Sequence, residues 1–295
     1  MSIAATVIVP TYDHGPTLRL SLASALAQTV EDIEIFVIGD GAPDVTQAIL
    51  AELTHRDERV RFFDHPKGPR HGEIYRHEAL EHARGEIVCY LSDDDLWLPE
   101  HVAMLQELLD GADFAAAMAV HLTAEGELRS WQPFDLAMSS FRRRMLAGKN
   151  FVPLSCGAHT LEAYRRLPQG WSTTPAGVST DLFMWQKLLQ LPEIRARSAT
   201  RPTALHLPSS HRRGWTPEER VAELERWAPR VADPTWRTEF LGEVLDQMVR
   251  HGAETNAAFA AVYGTRTWRL REWLLGAPVL GTVAKALARR GPSIR

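Results

Sequence analysis

What this chain has little of narrows its function before any motif is read. It holds only two cysteines in 295 residues, Cys89 and Cys156. Neither a disulfide framework nor a cysteine zinc site can be built from them, and Cys89, inside an apolar run, reads as a small core residue. No run of 18 or more apolar residues occurs, so no membrane-spanning helix is expected. The first residues lack a basic segment leading into a long apolar stretch, which makes the cytoplasm the default compartment. Positive charge is not in excess. Lys and Arg number 33 against 37 Asp and Glu, a net charge of -4, whereas a nucleic-acid binder normally shows a basic surplus. No nucleic-acid partner is therefore expected. No internal repeat or low-complexity segment is present. No glycine-rich loop follows the first apolar run, so neither the dinucleotide nor the Walker phosphate-binding mode is supported.

What remains is ordinary globular composition, 45% hydrophobic and 24% charged, in a strand–helix rhythm. Thr6-Val-Ile-Val9 is a short buried-type strand stopped by Pro10, and Thr11 to Gly15 a polar loop. Pro16-Thr17 opens a helix with Leu18, Leu22 and Leu26 four apart. Ile33 to Ile38 is the second strand, followed by the turn Gly39 to Asp44 and a helix to about His55. Val60 to Phe63 is the third strand; a loop rich in His, Arg, Lys, Pro and Gly leads to a helix from Glu73 to Ala83. Short apolar strands alternating with helices imply a parallel sheet covered on both faces. In such sheets ligands bind beyond the carboxyl ends of the strands. The loops Pro10 to Gly15, Gly39 to Asp44 and Ser92 to Asp95 all carry aspartate there.

The fourth strand is the centre of interest. Ile87 to Leu91 ends abruptly in Ser92-Asp93-Asp94-Asp95, and Leu96-Trp-Leu-Pro-Glu100 follows, with Pro99 placed to open a helix. Three adjacent carboxylates repel one another, more so when partly buried. A divalent cation relieves the conflict, and oxygen-only ligands point to Mg²⁺ or Mn²⁺. The competing reading is an acid-rich helix start, which the helix dipole favours without any metal.

Beyond residue 100, strands are expected at Phe114 to Val120, leading through a turn to Trp131, and at Arg195 to Leu207. Short helices are expected at Thr160 to Arg166 and from Thr180-Asp181 to Gln190. From about Pro208 the texture becomes helical: Glu218 to Trp227, Thr235 to His251 and Thr265 to Arg290. The last segment joins Trp268, Leu270, Trp273, Leu274 and Leu275 to a basic tail (Arg289, Arg290, Arg295). It reads as an anchor at an anionic membrane surface or as a helix docked on its own domain or on a second copy. The domains expected are 1–210, with halves 1–100 and 101–210, and a helical extension over 211–295.

Val7-Ile-Val-Pro-Thr-Tyr12, Ile35-Phe-Val-Ile-Gly-Asp-Gly41 and Ala83 to Asp95 with Trp97 and Pro99 together resemble the family 2 glycosyltransferases of GT-A fold. The resemblance covers residues 3 to about 210. It implies an α/β GT-A fold, Rossmann-like, with a mostly parallel central sheet, helices on both faces and here a C-terminal helical appendage. It implies an inverting transferase using a nucleotide diphosphate sugar donor, of UDP or dTDP type, and a saccharide, lipid-linked or small-molecule acceptor.

Residue by residue, the resemblance sets Pro10, Thr11 and Tyr12 against the nucleotide base, with Asp40 hydrogen-bonding it. Arg70, Arg76 and His77 fall where the family faces the donor, although His77 stands in place of the usual Asn. The triple aspartate overlies the family's metal motif with Ser92 in the first Asp position. Asp94 is then the direct ligand of Mg²⁺ or Mn²⁺, Asp93 the stand-in reaching ribose or metal-bound water, and Asp95 the loop support or an acceptor contact. Thr180-Asp181 matches the family's Glu-Asp pair, with Thr180 replacing the Glu, and makes Asp181 the general base. His206, with His211 as rival, would complete metal coordination or touch phosphate. Trp171, in the loop Leu167 to Ser179, is placed to stack on a sugar. The Ser92 and Thr180 departures keep open a catalytically inactive member serving as a binding or scaffold protein. A nucleotidyltransferase would need a glycine- and basic-rich first loop, which is lacking. Peripheral contact with the inner face of a membrane, or a homodimer, would run through the C-terminal helices.

Overall fold

The computed structural model describes residues 3–130 and 133–276. Its first half is built as the apolar runs require. Strands β1 (Ile3–Thr11) and β2 (Ile33–Gly39) are buried along nearly their whole length, as strands covered on both faces must be. Helix α1 (Gly15–Leu26) lies between them in sequence and buries Leu18, Leu22 and Ala25. Helix α2 (Asp44–Arg56), strand β3 (Val60–Phe63), helix α3 (Glu73–Glu81) and strand β4 (Gly85–Tyr90) follow. β3, β2, β1 and β4 lie side by side and parallel. Strand order reverses at β1, which has β2 on one side and β4 on the other. The loops after these three strands therefore converge at one crevice.

The second half departs from the sequence pattern in two places. Leu96–Trp97 is not the lead-in to a helix but a two-residue strand, β5, and helix α4 (His101–Leu109) starts two residues after Pro99. The backbone of β5 is taken by a late strand, and Trp97 is buried with its Nε1–H donated to the Ser155 carbonyl at 2.8 Å. β6 (Phe114–Leu122) and β7 (Leu128–Ser130) form a hairpin; Trp131, expected at its end, lies outside the described residues. Helix α5 (Ser139–Leu146) and a 3₁₀ turn, Leu154–Cys156, lead to β8 (Gly157–Thr160), a strand that the sequence pattern did not suggest. β8 slots antiparallel between β4 and β6. Helices α6 (Leu161–Arg165) and α7 (Thr180–Leu189) precede β9 (Ala196–His206), which is parallel to β6 and antiparallel to β5. The nine-stranded sheet runs β3-β2-β1-β4-β8-β6-β9-β5, with β7 beside β6.

The chain divides into compact units at Val244/Leu245, later than the boundary expected near residue 210. Helix α8 (Pro217–Ala232) is the reason. A Thr216–Glu219 capping box starts it, and it buries Leu224, Trp227 and Val231. Just before it, Arg212 forms a buried fork with Glu223, Nε–Oε2 2.5 Å and Nη2–Oε1 2.7 Å. The same guanidinium donates to the Leu122 and Pro208 carbonyls, which ties α8 to the end of β6. Helix α9 (Pro234–Tyr263) begins in the first unit, where Phe240 and Val244 are buried. In the second unit α9 ends with Phe259 and Tyr263 stacked, and α10 (Arg266–Gly276) sets Trp268 edge-on to Tyr263. The basic tail expected to anchor this unit lies outside the described residues. No helix among the described residues is long and apolar enough to cross a membrane.

Candidate active site

A cleft of about 440 Å³ opens at the crevice between the ends of β1, β2 and β4. Its walls include Pro10, Thr11, Tyr12, Asp40, Arg70, Arg76, Ser92, Asp93, Asp94 and Asp181. Pro10 and Asp181, 171 positions apart in sequence, thus share one surface. The walls also carry Asp13, His14, Lys67, His71 and Ser209, none of which the motifs singled out.

Asp40 is buried, and both its oxygens are engaged. Oδ1 accepts the Gly68 N–H at 2.6 Å and Oδ2 accepts from Lys67. Lys67 Nζ also lies 5.5 Å from the centre of the Tyr12 ring. Gly72 makes this close packing possible: its φ is +60°, and a Cβ there would sit 2.6 Å from Asp40 Cγ. Arg70 also holds a left-handed backbone, φ 58°, and its Nη2 donates to the Val178 carbonyl at 3.2 Å.

Arg76 is the cleft's buried cation. It is 4% exposed, its guanidinium lies 4.7 Å over the Trp171 ring, and Nη2 donates to the His71 carbonyl at 3.3 Å. Its Nε and Nη1 have no hydrogen-bond partner. A buried guanidinium with open donors is costly unless an anion completes it. Trp171 is therefore not a sugar platform. It is buried beneath Arg76 and donates Nε1–H to the Tyr90 hydroxyl at 3.0 Å. His77 is likewise absent from the cleft wall, with its Nδ1 2.7 Å from the Tyr164 hydroxyl.

The three aspartates divide sharply. Asp93 faces Thr11 and His14, accepting the Thr11 hydroxyl at 2.7 Å and lying 3.1 Å from His14 Nδ1. That bond raises the His14 pKa to about 9, against burial and the charge of Arg220. Arg220 Nη1 approaches His14 Nε2 at 2.9 Å. A guanidinium can only donate, so this contact suits the neutral ring with its hydrogen on Nδ1 and opposes the protonation that Asp93 favours. Asp94 accepts from Ser209 Oγ at 3.0 Å and pairs with Arg220 at 3.4 Å. Burial, then the charges of Asp95 and Asp93, push its pKa up to about 7.

Asp95 is fully buried and turned away. Its oxygens accept Ser155 Oγ at 2.5 Å, the Leu207 N–H at 2.7 Å and His206 Nδ1 at 3.0 Å. Burial alone would raise its pKa, but His206 and these hydrogen bonds hold it below the usual carboxylate value. Asp95 therefore spends its oxygens on Ser155, Leu207 and His206, and His206 gives its Nδ1 to Asp95 while lining a second cavity rather than the cleft that Asp94 lines. Among the described residues no three His, Cys, Asp or Glu side chains form a metal cage.

Asp181 sits in the first turn of α7. It takes the Leu182 N–H at 2.8 Å, the Ser179 hydroxyl, and Asn150 Nδ2 at 3.0 Å. Thr180, beside it, donates to buried Glu73 at 3.3 Å. Asp181 also lines a second cavity of about 400 Å³, walled by Asn150, Phe151, His206 and His211 among others.

Residues 6–167 match the sequence profile described as glycosyl transferase family 2. The chain is 37% identical over 101 residues to succinoglycan biosynthesis protein ExoW of Rhizobium meliloti, covering 33% of this chain and 31% of that protein. It is 32% identical over 110 residues to the GalNAc(5)-diNAcBac-PP-undecaprenol beta-1,3-glucosyltransferase of Campylobacter jejuni, covering 36% and 31%. The match thus spans about a third of the length of these relatives. The fold is shared with S. aureus TarS in complex with UDP-GlcNAc, at TM-score 0.57, 16% identity and coverage of 83% and 72%. It is shared also with the mannosyltransferase PcManGT of Pyrobaculum calidifontis, solved with GDP-Man and Mn²⁺, at TM-score 0.51, 18% identity and coverage of 92% and 83%. With the aspartate-rich crevice described above and a family match over more than half of its length, the chain belongs to glycosyl transferase family 2.

Proposed function

We propose that this protein transfers a sugar from a nucleotide diphosphate donor, of UDP or dTDP type, to an acceptor hydroxyl, with inversion at the anomeric carbon. One observation carries the reading: Asp181 lines both the aspartate-rich cleft and the second cavity. A general base for an inverting transfer has to stand between donor and acceptor, opposite the leaving group. The cleft is then the donor site, and the cavity walled by Asn150, Phe151, His206 and His211 holds the acceptor.

In the donor site, Tyr12 lies against the base, and Asp40 with Lys67 reads its edge. The open donors of Arg76 bind diphosphate oxygens, as a guanidinium fork does well. A divalent cation fits the acidic loop. Asp94 is buried among like charges, its oxygens are hard donors, and Mg²⁺ or Mn²⁺ is commonly held by one or two carboxylates with substrate phosphates completing the shell. Asp94 would hold it with Asp93; Asp95 is committed to its own hydrogen bonds, and neither it nor His206 lines the cleft. When bound, the ion neutralises charge developing on the departing diphosphate. In the acceptor site, Asn150 fixes the Asp181 carboxylate, which takes the hydroxyl proton as the new bond forms. Support for this assignment comes from the family membership and from neighbours of the same fold solved with nucleotide sugars.

A thermal-shift series tests the proposal. UDP or dTDP with Mn²⁺ is expected to raise the melting temperature, and EDTA to abolish the rise. A nucleotide response indifferent to metal would sink the Asp94 assignment.

A further inference from the structure

Arg220 stands outside the region that matches the family profile, on a helix the sequence marked only as an appendage. It is nonetheless 8% exposed and reaches the acidic loop. Its Nη1 lies 2.9 Å from His14 Nε2 and 3.4 Å from Asp94 Oδ2. His14, Asp93 and Asp94 line the donor cleft, but Arg220 does not. It meets Asp94 from α8 without forming part of the cleft wall.

We infer that Arg220 is an internal counter-ion for Asp94, occupying in the donor-free enzyme the electrostatic role that a divalent cation takes over when the donor binds. This rests on the metal-dependent reading of the site given above. Asp94 is buried, with carboxylates on both sides in sequence. Such a group needs a cation, or it stays protonated or destabilises the fold. Arg220 supplies a permanent one, because a guanidinium does not lose its proton in a protein. The pair is well placed to last, with both side chains about one-tenth exposed and therefore weakly screened.

The position of Arg220 is itself over-determined. The Thr216–Glu219 capping box fixes the start of α8 one residue earlier, and Glu223, one turn on, is locked to Arg212. The helix thus holds its guanidinium beside the acidic loop through contacts that lie outside the cleft. A metal binding Asp94 must share or displace this partner. Arg220 consequently lowers metal affinity while holding the acidic loop in place. It is a positioning residue, not a group that touches substrate.

The inference makes a prediction opposite in sign to ordinary damage. Mn²⁺ affinity of the full chain is measured in saturating UDP and without nucleotide, by the electron paramagnetic resonance signal of free Mn²⁺. Arg220→Met is expected to bind Mn²⁺ about tenfold more tightly than the unaltered protein, since one competing ion pair is removed. Its melting temperature should be lower without metal and rise further on adding Mn²⁺. Arg220→Lys, which keeps the charge, should stay close to the unaltered affinity. Arg220→Gln keeps a neutral donor beside His14 and Asp94, and gives the same reading should the Met variant fail to fold. Unchanged or weaker Mn²⁺ binding in a folded, uncharged variant overturns the inference. If the unaltered protein takes up no Mn²⁺ even with UDP, the metal reading fails and the inference with it; uptake with UDP but no tightening in the variants overturns the inference alone.

Discussion

Asp95 Oδ2 and His206 Nδ1 lie 3.0 Å apart, and this pair divides the acidic loop into a structural and a chemical half. Asp95 is fully buried and accepts from Ser155, Leu207 and His206, all donors. An amide in its place must turn an NH₂ group toward at least one of them. Asp95→Asn is therefore expected to cost about 3–5 kcal/mol. Asp94→Asn relieves repulsion among neighbouring carboxylates but gives up the charge of the Arg220 pair, and should lose less stability than Asp95→Asn while losing stabilisation by Mn²⁺. Urea titrations of both variants, with and without UDP and Mn²⁺, separate the two roles. Equal stability losses would contradict the division.

That division was not legible in the sequence. Three adjacent aspartates after a strand announce charge conflict, but which carboxylate faces the cleft depends on backbone direction and on partners 60 to 112 residues away. The crevice itself was legible, because β1, β2 and β4 are near-continuous apolar runs and each ends in a polar loop. β8 was hidden because Gly-Ala-His-Thr carries no strand-like apolar pattern; it is a strand because β4 and β6 both need a partner there. His14 lay in a loop already marked as site-forming and Lys67 in the loop that supplies Arg70, so their positions were a usable signal. Arg220 carried none. Its helix shows a capping box and an apolar face, but nothing in that pattern says that the helix docks at the acidic loop.

Asp181 tests the chemistry rather than the fold. Asp181→Asn keeps the side-chain volume, and Leu182 and Ser179 can still donate to the amide oxygen. Donor binding should persist, because Asp40, Arg76, Asp93 and Asp94 are untouched. Turnover should fall by a factor of roughly 10² or more, the usual contribution of a positioned base. Calorimetric UDP binding alongside initial rates checks both. Near-normal turnover removes Asp181 from the base role.

His101 and His159 should make the fold acid-sensitive well above the carboxylate range. His101 is fully buried, stacked on Trp97 at 4.3 Å and bonded to Thr203 at 2.8 Å; burial lowers its pKa to about 3. His159 is equally buried beside Tyr90, and burial lowers its pKa to about 4. The unfolded chain takes up these protons near pH ~6.5, before the folded one does. The stability these two histidines contribute is therefore full above about pH 6.5 and falls as pH drops through the window toward 4, by about 1.4 kcal/mol per unit for each, with the raised Asp94 carboxyl working in the opposite direction. Urea midpoints between pH 7 and pH 5 should show this slope. His101→Phe, which keeps an aromatic ring against Trp97, should flatten it; an unaltered slope would assign the acid sensitivity to other groups.

Glu223 couples the fold of α8 to the site. Its carboxylate and the Arg212 guanidinium are 1% and 2% exposed and meet through two hydrogen bonds. Removing one partner leaves the other charge buried and unpaired, which costs about 3–5 kcal/mol. Glu223→Gln is therefore expected to be markedly less stable than the unaltered protein. Arg212→Met with Glu223→Met, which removes both charges and keeps apolar volume, should recover much of that loss. Since Arg220 lies one turn before Glu223 on the same helix, the single variant should also loosen its contacts to His14 and Asp94, while the double variant should keep them. Urea midpoints of the single and double variants, with Mn²⁺ uptake in saturating UDP, measure both effects. A double variant no more stable than the single one would mean that the Arg212 contacts to the Leu122 and Pro208 carbonyls, rather than the ion pair, hold α8 against β6.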